Sequence, residues 1–421
     1  MRLRLWPRAG VGFTCAASSQ RSAEGKTGVS DRPIRILELR SVRGTGGGPE
    51  KTILLGTART DRRQFEITVC YLRDARDTVF GIDQKAAGLS IDYTEIIERH
   101  SLDPSIWPKL RHLIRDRSID IVHAHEYKTD VLAWMLARAE KVTPLSTVHG
   151  WTGQTSRELR FYYPLDKWIL SLFPRLIAVS DDVKRELVRC GANPDQVVTV
   201  LNGIDHQAFH RDRARAPGIR GSLGIAADEF AIGAVGRLEP QKRFDVLIDA
   251  FADVRRQHRR ARLLIAGDGS LRTALEQQIS ASGLSQSCTL LGHRRDVAEL
   301  HDAFDLFVQS SDYEGTPNAV LEAMALETPI VATAAGGTAE ICRDGIDGLI
   351  VPSGDRAALV AAMNCAVDDP AAAARRVAAA RARVETELSF DRRMRKVEEV
   401  YQSLFQERRR ISSGKMAPAR I

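Results

Sequence analysis

The chain has 421 residues, 43% of them hydrophobic and 27% charged, a balance that excludes a disordered polymer and gives enough length for two or three α/β-sized units. The net charge of +7 sits at the ends. Residues 1–32 hold six Lys/Arg against two acids and residues 401–421 five against one, so the middle is close to neutral, which argues against a domain-wide nucleic-acid surface. No apolar run reaches the roughly 18 residues of a membrane span; the best, 168–173, is stopped by Pro174 and Arg175. The six cysteines (15, 70, 190, 288, 342 and 365) contain no C-x-x-C pair, which fits scattered thiols in a reducing compartment better than a disulfide framework or zinc cage. Arg2, Arg4 and Arg8 precede a poor apolar stretch at 11–17, so residues 1–32 read as a disordered extension rather than a signal peptide.

From Ile34 onward, short β-branched runs alternate with helical periods. Strands are predicted at 34–39, 66–71, 119–124, 145–148, 176–179 and 197–201, with helices between them at 104–115 and 129–138. These strands are continuous apolar runs, as expected of strands covered by helices on both faces. After Asn202-Gly203-Ile204-Asp205 and an irregular basic stretch at 206–221, strands recur at 230–235, 262–266, 289–291, 306–308 and 330–332, with a helix at 245–254. Beyond Pro370 the chain is Ala/Arg-rich and helical to about residue 410. The fold class is therefore α/β: two doubly wound, Rossmann-like parallel-sheet domains. The expected bounds are 33–205 for the first domain, 206–388 for the second, and 389–421 for a C-terminal helix returning to the first domain and a basic tail.

Open α/β sheets bind ligands at the C-terminal ends of their strands, so the residues just after each strand are the informative ones. The first strand ends at Arg40 and is followed by Gly44-Thr45-Gly46-Gly47-Gly48-Pro49-Glu50 before a helix from Lys51. A glycine turn there lets a ligand approach the backbone, and a helix N-terminus favours anions. The run is not a P-loop, because Glu50 and Thr45 stand where glycines are required. His149-Gly150 ends another strand, which places a histidine at the cleft or packs it as a cap. His123-Ala124-His125 resembles a metal pair, but no third ligand at suitable spacing accompanies it.

The second half carries stronger signals. The strand at 230–235 leads into Gly236-Arg237-Leu238-Glu239-Pro240-Gln241-Lys242-Arg243, three cations where a diphosphate would be clamped. After the strand at 306–308 come Glu314, Gly315, Thr316, Pro317, Asn318 and Glu322. Pro317 fits the first turn of a helix, which puts Glu322 on that helix and Glu314 in the loop before it. Eight helical residues would separate the two carboxylates by about 12 Å, too far for a glycosidase pair at roughly 5–9.5 Å. That span suits two ends of one long ligand, with the amides near Thr316–Asn318 meeting phosphates between them. Gly336-Gly337-Thr338-Ala339-Glu340 adds another glycine turn at the same sheet edge.

Taken in order, these pieces resemble the retaining glycosyltransferases of family 4, which have the GT-B fold, over about residues 34–405. The matching residues are Gly47 to Glu50, His149-Gly150, Asn202 to Asp205, Gly236-Arg237 with Lys242, Glu314 with Glu322, Gly336-Gly337 with Glu340, and Gly348 to Pro352. The resemblance implies that Arg237 and Lys242 hold a donor diphosphate, Glu322 the ribose and Glu314 the transferred sugar. It implies that His149 contacts that sugar and that the Gly46, Gly47, Gly48 turn meets the phosphates from the acceptor side. It also implies a metal-independent reaction with no cofactor beyond the nucleotide-sugar substrate, and no Asp-x-Asp occurs in the chain. Same-face attack on the sugar, with the departing phosphate oxygen taking the acceptor proton, follows from the same resemblance. Glu327 and Arg243 stand where the family usually has glycine; the first puts a helix C-cap in doubt and the second offers an added phosphate contact.

The acceptor side is less defined. Residues 151–168 mix Arg157, Arg160 and Lys167 with Trp151, Phe161, Tyr162, Tyr163 and Trp168. Two readings are open: a helix half-buried in its own domain, or a face for a lipid-linked acceptor or an anionic membrane. The expectation is a cytoplasmic hexosyltransferase, peripheral at the inner face of the membrane, that moves sugar to a glycan or glycolipid in cell-surface polysaccharide assembly and binds no nucleic acid. The rival readings are a nucleotide-sugar epimerase and a non-catalytic nucleotide-sugar-binding protein.

Overall fold

The computed structural model describes residues 32–44, 46–151 and 158–413; the predicted N-terminal extension up to residue 31, Arg157 and the basic tail from 414 lie outside them. Seven parallel strands form the first sheet: β1 (Ile34–Ser41), β2 (Phe65–Asp74), β3 (Asp92–Glu98), β4 (Ile121–Ala124), β5 (Thr143–Val148), β6 (Leu176–Ala178) and β7 (Val197–Thr199). Their order is β3-β2-β1-β4-β5-β6-β7. Six more form the second: β8 (Phe230–Val235), β9 (Ala261–Ala266), β10 (Cys288–Gly292), β11 (Leu306–Gln309), β12 (Ile330–Thr333) and β13 (Leu349–Val351), in the order β10-β9-β8-β11-β12-β13. Both sheets are doubly wound, and each reverses its strand order beside its first strand, at β1/β4 and at β8/β11. Crevices outside the strand ends at such switch points are where ligands bind.

The continuous apolar runs arise because each central strand feeds two cores. Leu37 and Leu39 of β1 pack into one cluster with Val122, Val148 and Phe173. Ile34 and Ile36 enter the opposite cluster, which includes Phe390, Val397 and Tyr401 from the last helix, Phe390–Ser412. In the second lobe, Ile232 and Ala234 face the helix Phe244–Gln257, while Ala231 packs with Phe304 on the other side. The two strands that periodicity misses are β3 and β13. Asp92–Glu98 is an edge strand with three acids and alternating exposure, paired only with β2, and Leu349–Val351 is only three residues long.

The helical stretch after Pro370 is not continuous. It divides into Pro370–Thr386 and Phe390–Ser412. The break serves the connection between lobes: Ile204 N donates to Leu388 O (3.0 Å) and Phe390 N to Ile204 O (2.9 Å), pairing the two chain crossings as a short parallel bridge. Ser389 then caps the final helix through Arg392 N. No helix among the described residues is long and apolar enough to cross a membrane.

Two departures from glycine are visible in the backbone. Glu327 (φ +52°) and Arg243 (φ +48°) both adopt the left-handed conformation, which costs a residue with a Cβ about 1 kcal/mol. Glu327 ends the helix Asn318–Ala325 in the way a glycine would, with Thr328 N returning to Ala323 O at 3.0 Å.

Candidate active site

The glycine turn after β1 is fixed by the residue that breaks the P-loop pattern. The Glu50 carboxylate accepts from Gly47 N and is ion-paired to Arg40, whose Nη1 also donates to His125 O at 2.8 Å. The helix after the turn begins at Gly48, not Lys51. The earlier start brings Gly48 against the other lobe, where a Cβ would collide with the Asn318 amide.

From the second lobe, the cations and carboxylates named in the sequence meet. Lys242 Nζ lies 2.6 Å from Glu314 Oε1, and Ser311 Oγ donates to the same oxygen at 2.6 Å. Glu314 is buried, whereas Arg237 at the end of β8 is exposed and has no ion pair among the described residues. Arg243 does not join them. Its guanidinium is taken by Asp312 (2.7 Å) and Asp245 (3.2 Å), so the predicted added phosphate contact has no free charge behind it.

Pro317 stands one place before the helix Asn318–Ala325, as its cap, rather than inside its first turn. Glu322 is on that helix and Glu314 in the preceding loop, as the spacing requires. The first amides of the helix have no intrahelical partner and are available to an anion. Gly315 is a point of close approach between lobes, since a Cβ there would lie 2.6 Å from His149 O. His149, Glu314 and Gly315 thus share one location. His149 is half-buried, and its pKa is held well below the usual histidine range first by burial and then by the nearby Arg40 and Arg393 guanidiniums.

Three contacts across the crevice were not foreseen. Lys51 Nζ reaches Glu322 Oε1 at 3.2 Å. Asn202 Nδ2 donates to Asn318 Oδ1 at 3.2 Å. The Glu340 carboxylate caps the first-lobe helix Asp181–Arg189, accepting from Asp181 N at 2.8 Å and Asp182 N at 3.3 Å. The G-G-x-x-E motif held the signal for the last, because a carboxylate is a natural partner for a helix N-terminus.

The His123/His125 pair does have a third group nearby, although sequence spacing offers none: Glu38 of β1, with all three ligand-type atoms within 4.8 Å of one another. The register pairs Glu38 directly with His123 across β1 and β4. Each group already has hydrogen-bond partners. Tyr401 Oη donates to Glu38 Oε1 (2.7 Å), His123 Nε2 meets Thr147 Oγ1 (2.8 Å), and His125 Nε2 meets Glu38 Oε2. The cluster is a buried polar network with its donors and acceptors matched.

Two facing α/β lobes, with glycine turns, basic residues and paired carboxylates at the switch points, define the class: a GT-B-type enzyme. Comparison with known proteins gives the family. Residues 46–208 match the model "Glycosyltransferase Family 4" and residues 217–383 match "Glycosyl transferases group 1". A glycogen synthase of Mycobacterium tuberculosis is 32% identical over 333 residues, covering 76% of this chain and 75% of that protein. An Escherichia coli UDP-Gal:α-D-GlcNAc-diphosphoundecaprenol α-1,3-galactosyltransferase is 28% identical over 62% of this chain and 69% of its own length. Among solved structures, Anabaena HepE in complex with UDP-glucose superposes with a TM-score of 0.78 at 22% identity, over 88% of this chain and 100% of that one. The chain belongs to glycosyltransferase family 4 and is a sugar-transferring enzyme.

Proposed function

We propose that this enzyme transfers a hexose, with retention, from a nucleoside-diphosphate sugar to a glycan or lipid-linked acceptor in cell-surface polysaccharide assembly. The observation that carries the donor assignment is the grouping at the β8 and β11 ends: exposed Arg237, Lys242 on Glu314, and the open helix N-terminus at Asn318. The HepE complexes with UDP-glucose support a nucleotide-sugar donor. The E. coli galactosyltransferase, whose acceptor is diphosphoundecaprenol-linked, supports a lipid-linked acceptor.

In this reading Arg237, Lys242 and the helix amides stabilise charge on the leaving diphosphate. Glu322 holds the ribose, with Lys51 withdrawing from it as the nucleotide enters. Glu314 and His149 hold the sugar. The Gly46 to Gly48 turn approaches the phosphates from the first domain, and Gly315, Thr316 and Pro317 line the crevice. The anomeric C–O bond breaks with its electron pair going to the diphosphate. The acceptor hydroxyl adds on the same face, and its proton passes to the departing phosphate oxygen. No metal takes part. Residues 33–205 form the acceptor domain, 206–388 the donor domain, and the helix from 389 belongs to the first.

The acceptor domain carries exposed Leu159, Phe161, Tyr162, Leu165 and Trp168 beside Arg160. Those side chains support peripheral attachment at the cytoplasmic membrane face, and the helix 163–170 is at once half-buried and half-exposed. A thermal-shift panel of UDP-, GDP- and ADP-sugars with chelator present tests the donor reading. One nucleotide class should raise Tm by about a few degrees at saturation. No response to any class would refute the reading. Conversion of donor without any acceptor would favour the epimerase.

A further inference from the structure

The buried network behind the first lobe's crevice edge leads outward to His149. Glu38 sits within β1, His125 just beyond β4 and His149 just beyond β5, so three neighbouring strands line them up. Glu38 and His125 are buried and His149 is half-exposed, giving the row an inner and an outer end. Glu38 Oε2 is bonded to His125 Nε2. His125 Nδ1 in turn faces His149 Nε2 at 3.4 Å, the two rings lying 29° from parallel with centroids 5.6 Å apart.

Donor and acceptor roles along this row are forced. A carboxylate only accepts, so His125 must present N–H at Nε2. Burial lowers the His125 pKa to about 4, so the ring is neutral and its Nδ1 is a lone pair, which requires N–H at His149 Nε2. What remains on His149 is a bare Nδ1, to which no hydrogen bond is made among the described residues. The other side of Glu38 is occupied as well. Tyr401 Oη donates to Oε1, and buried Arg393 lies close enough to act on it electrostatically. Burial alone would push the Glu38 carboxyl up, but the two imidazoles outweigh it and hold it well below the usual carboxylate range. Both Tyr401 and Arg393 come from the helix Phe390–Ser412, which gives that returning helix a task beyond covering the sheet.

We propose that Glu38 and His125 are positioning residues that lock His149 in its Nε2–H tautomer, making Nδ1 an obligate hydrogen-bond acceptor at the sugar end of the crevice. The inference rests on the donor reading above for its consequence: the transferred sugar carries a free hydroxyl that donates to Nδ1. A sugar that is deoxy or O-methylated at that position is rejected, because the Nδ1 acceptor is left unpaired. A neutral ring also adds no positive charge beside a developing oxocarbenium ion.

The test is ¹⁵N imidazole NMR on the full chain, with His149→Gln used to assign the His149 signals. Wild type should show His149 with a protonated Nε2 and an unprotonated Nδ1. In His125→Phe, which keeps the ring but cannot accept, the two tautomers of His149 should mix. Glu38→Gln should shift the population in the same direction by less, and it covers the case in which His125→Phe does not fold. Turnover of UDP-glucose should fall about 10-fold in His125→Phe while UDP affinity stays within about 2-fold. A wild-type His149 protonated at Nδ1, or tautomer populations unchanged by both variants, would overturn the proposal. Failure of wild type to bind UDP would count against a uridine donor alone, since the tautomer is read without any nucleotide.

Discussion

The two lobes use polar residues in opposite ways. In the second, the candidate groups stand just past strand ends, around an exposed cation: Arg237 is exposed after β8, Lys242 sits on the buried Glu314, and Glu322, also buried, lies one helix turn past the Asn318 amides. In the first, the chemistry lies behind the crevice wall. Glu38, His123, His125 and Tyr401 are buried and hydrogen-bonded to one another, and only His149 emerges. A diphosphate needs exposed charge, whereas a sugar hydroxyl is best met by a neutral group held rigidly from behind. In the proposed donor reading, the difference between the lobes follows from what each has to grip.

Breaking the donor side should cost most. Glu314→Ala removes the carboxylate that meets Lys242 and Ser311, and transfer should fall at least about 100-fold while Tm stays close to wild type. Turnover like that of wild type in a steady-state assay would refute the role of Glu314.

The hidden side should respond to pH through stability. Asp130 and Asp166 are buried together beneath Trp151, whose Nε1 donates to Asp166 at 2.9 Å, and each keeps one carboxyl oxygen without a donor. The two carboxyls interact, and a proton shared between them is the expected state. Burial pushes the Asp166 carboxyl up to about 6 and Asp130 well above its ordinary value. The folded state therefore binds more protons than the unfolded one between about pH 4 and 6, so stability falls as pH rises through that window and stays lower above it. The shift on Asp166 corresponds to about 3 kcal/mol at most. Urea unfolding of Asp130→Asn between pH 4.5 and about 8 should show a flatter profile than wild type; parallel profiles would exclude the shared proton.

The smallest effect should come from one of the contacts across the crevice. Lys51 is largely exposed, and its pair with Glu322 is worth at most about 1 kcal/mol. If it competes with ribose, Lys51→Ala should tighten UDP binding by about 2–5-fold in calorimetry. Weaker binding would make Lys51 a nucleotide contact and not a competitor.

The same contrast explains what could be read without coordinates. The second-lobe site has a local signature: Arg237 and Lys242 lie within six residues, and Glu314 and Glu322 flank a proline that cannot sit deep in a helix. The strands with apolar runs were legible because both their faces are buried. The buried network was not, since its members are separated by up to 363 positions, from Glu38 to Tyr401, and only the β1/β4 register joins the first of them. Arg243 misled for a related reason. Its charge is plain in the sequence, but the neutralising Asp312 comes from another loop. Lys51 escaped because its partner lies across the crevice, 271 positions away.

The most direct test is a crystal structure of this chain with UDP-glucose, or with the nucleotide sugar the thermal-shift panel selects. The account predicts diphosphate oxygens on Arg237, Lys242 and the Asn318 amide, ribose hydroxyls on Glu322 with Lys51 displaced, and the sugar between Glu314 and His149. A nucleotide bound elsewhere, or one in this crevice whose phosphates touch neither Arg237 nor Lys242, would contradict it.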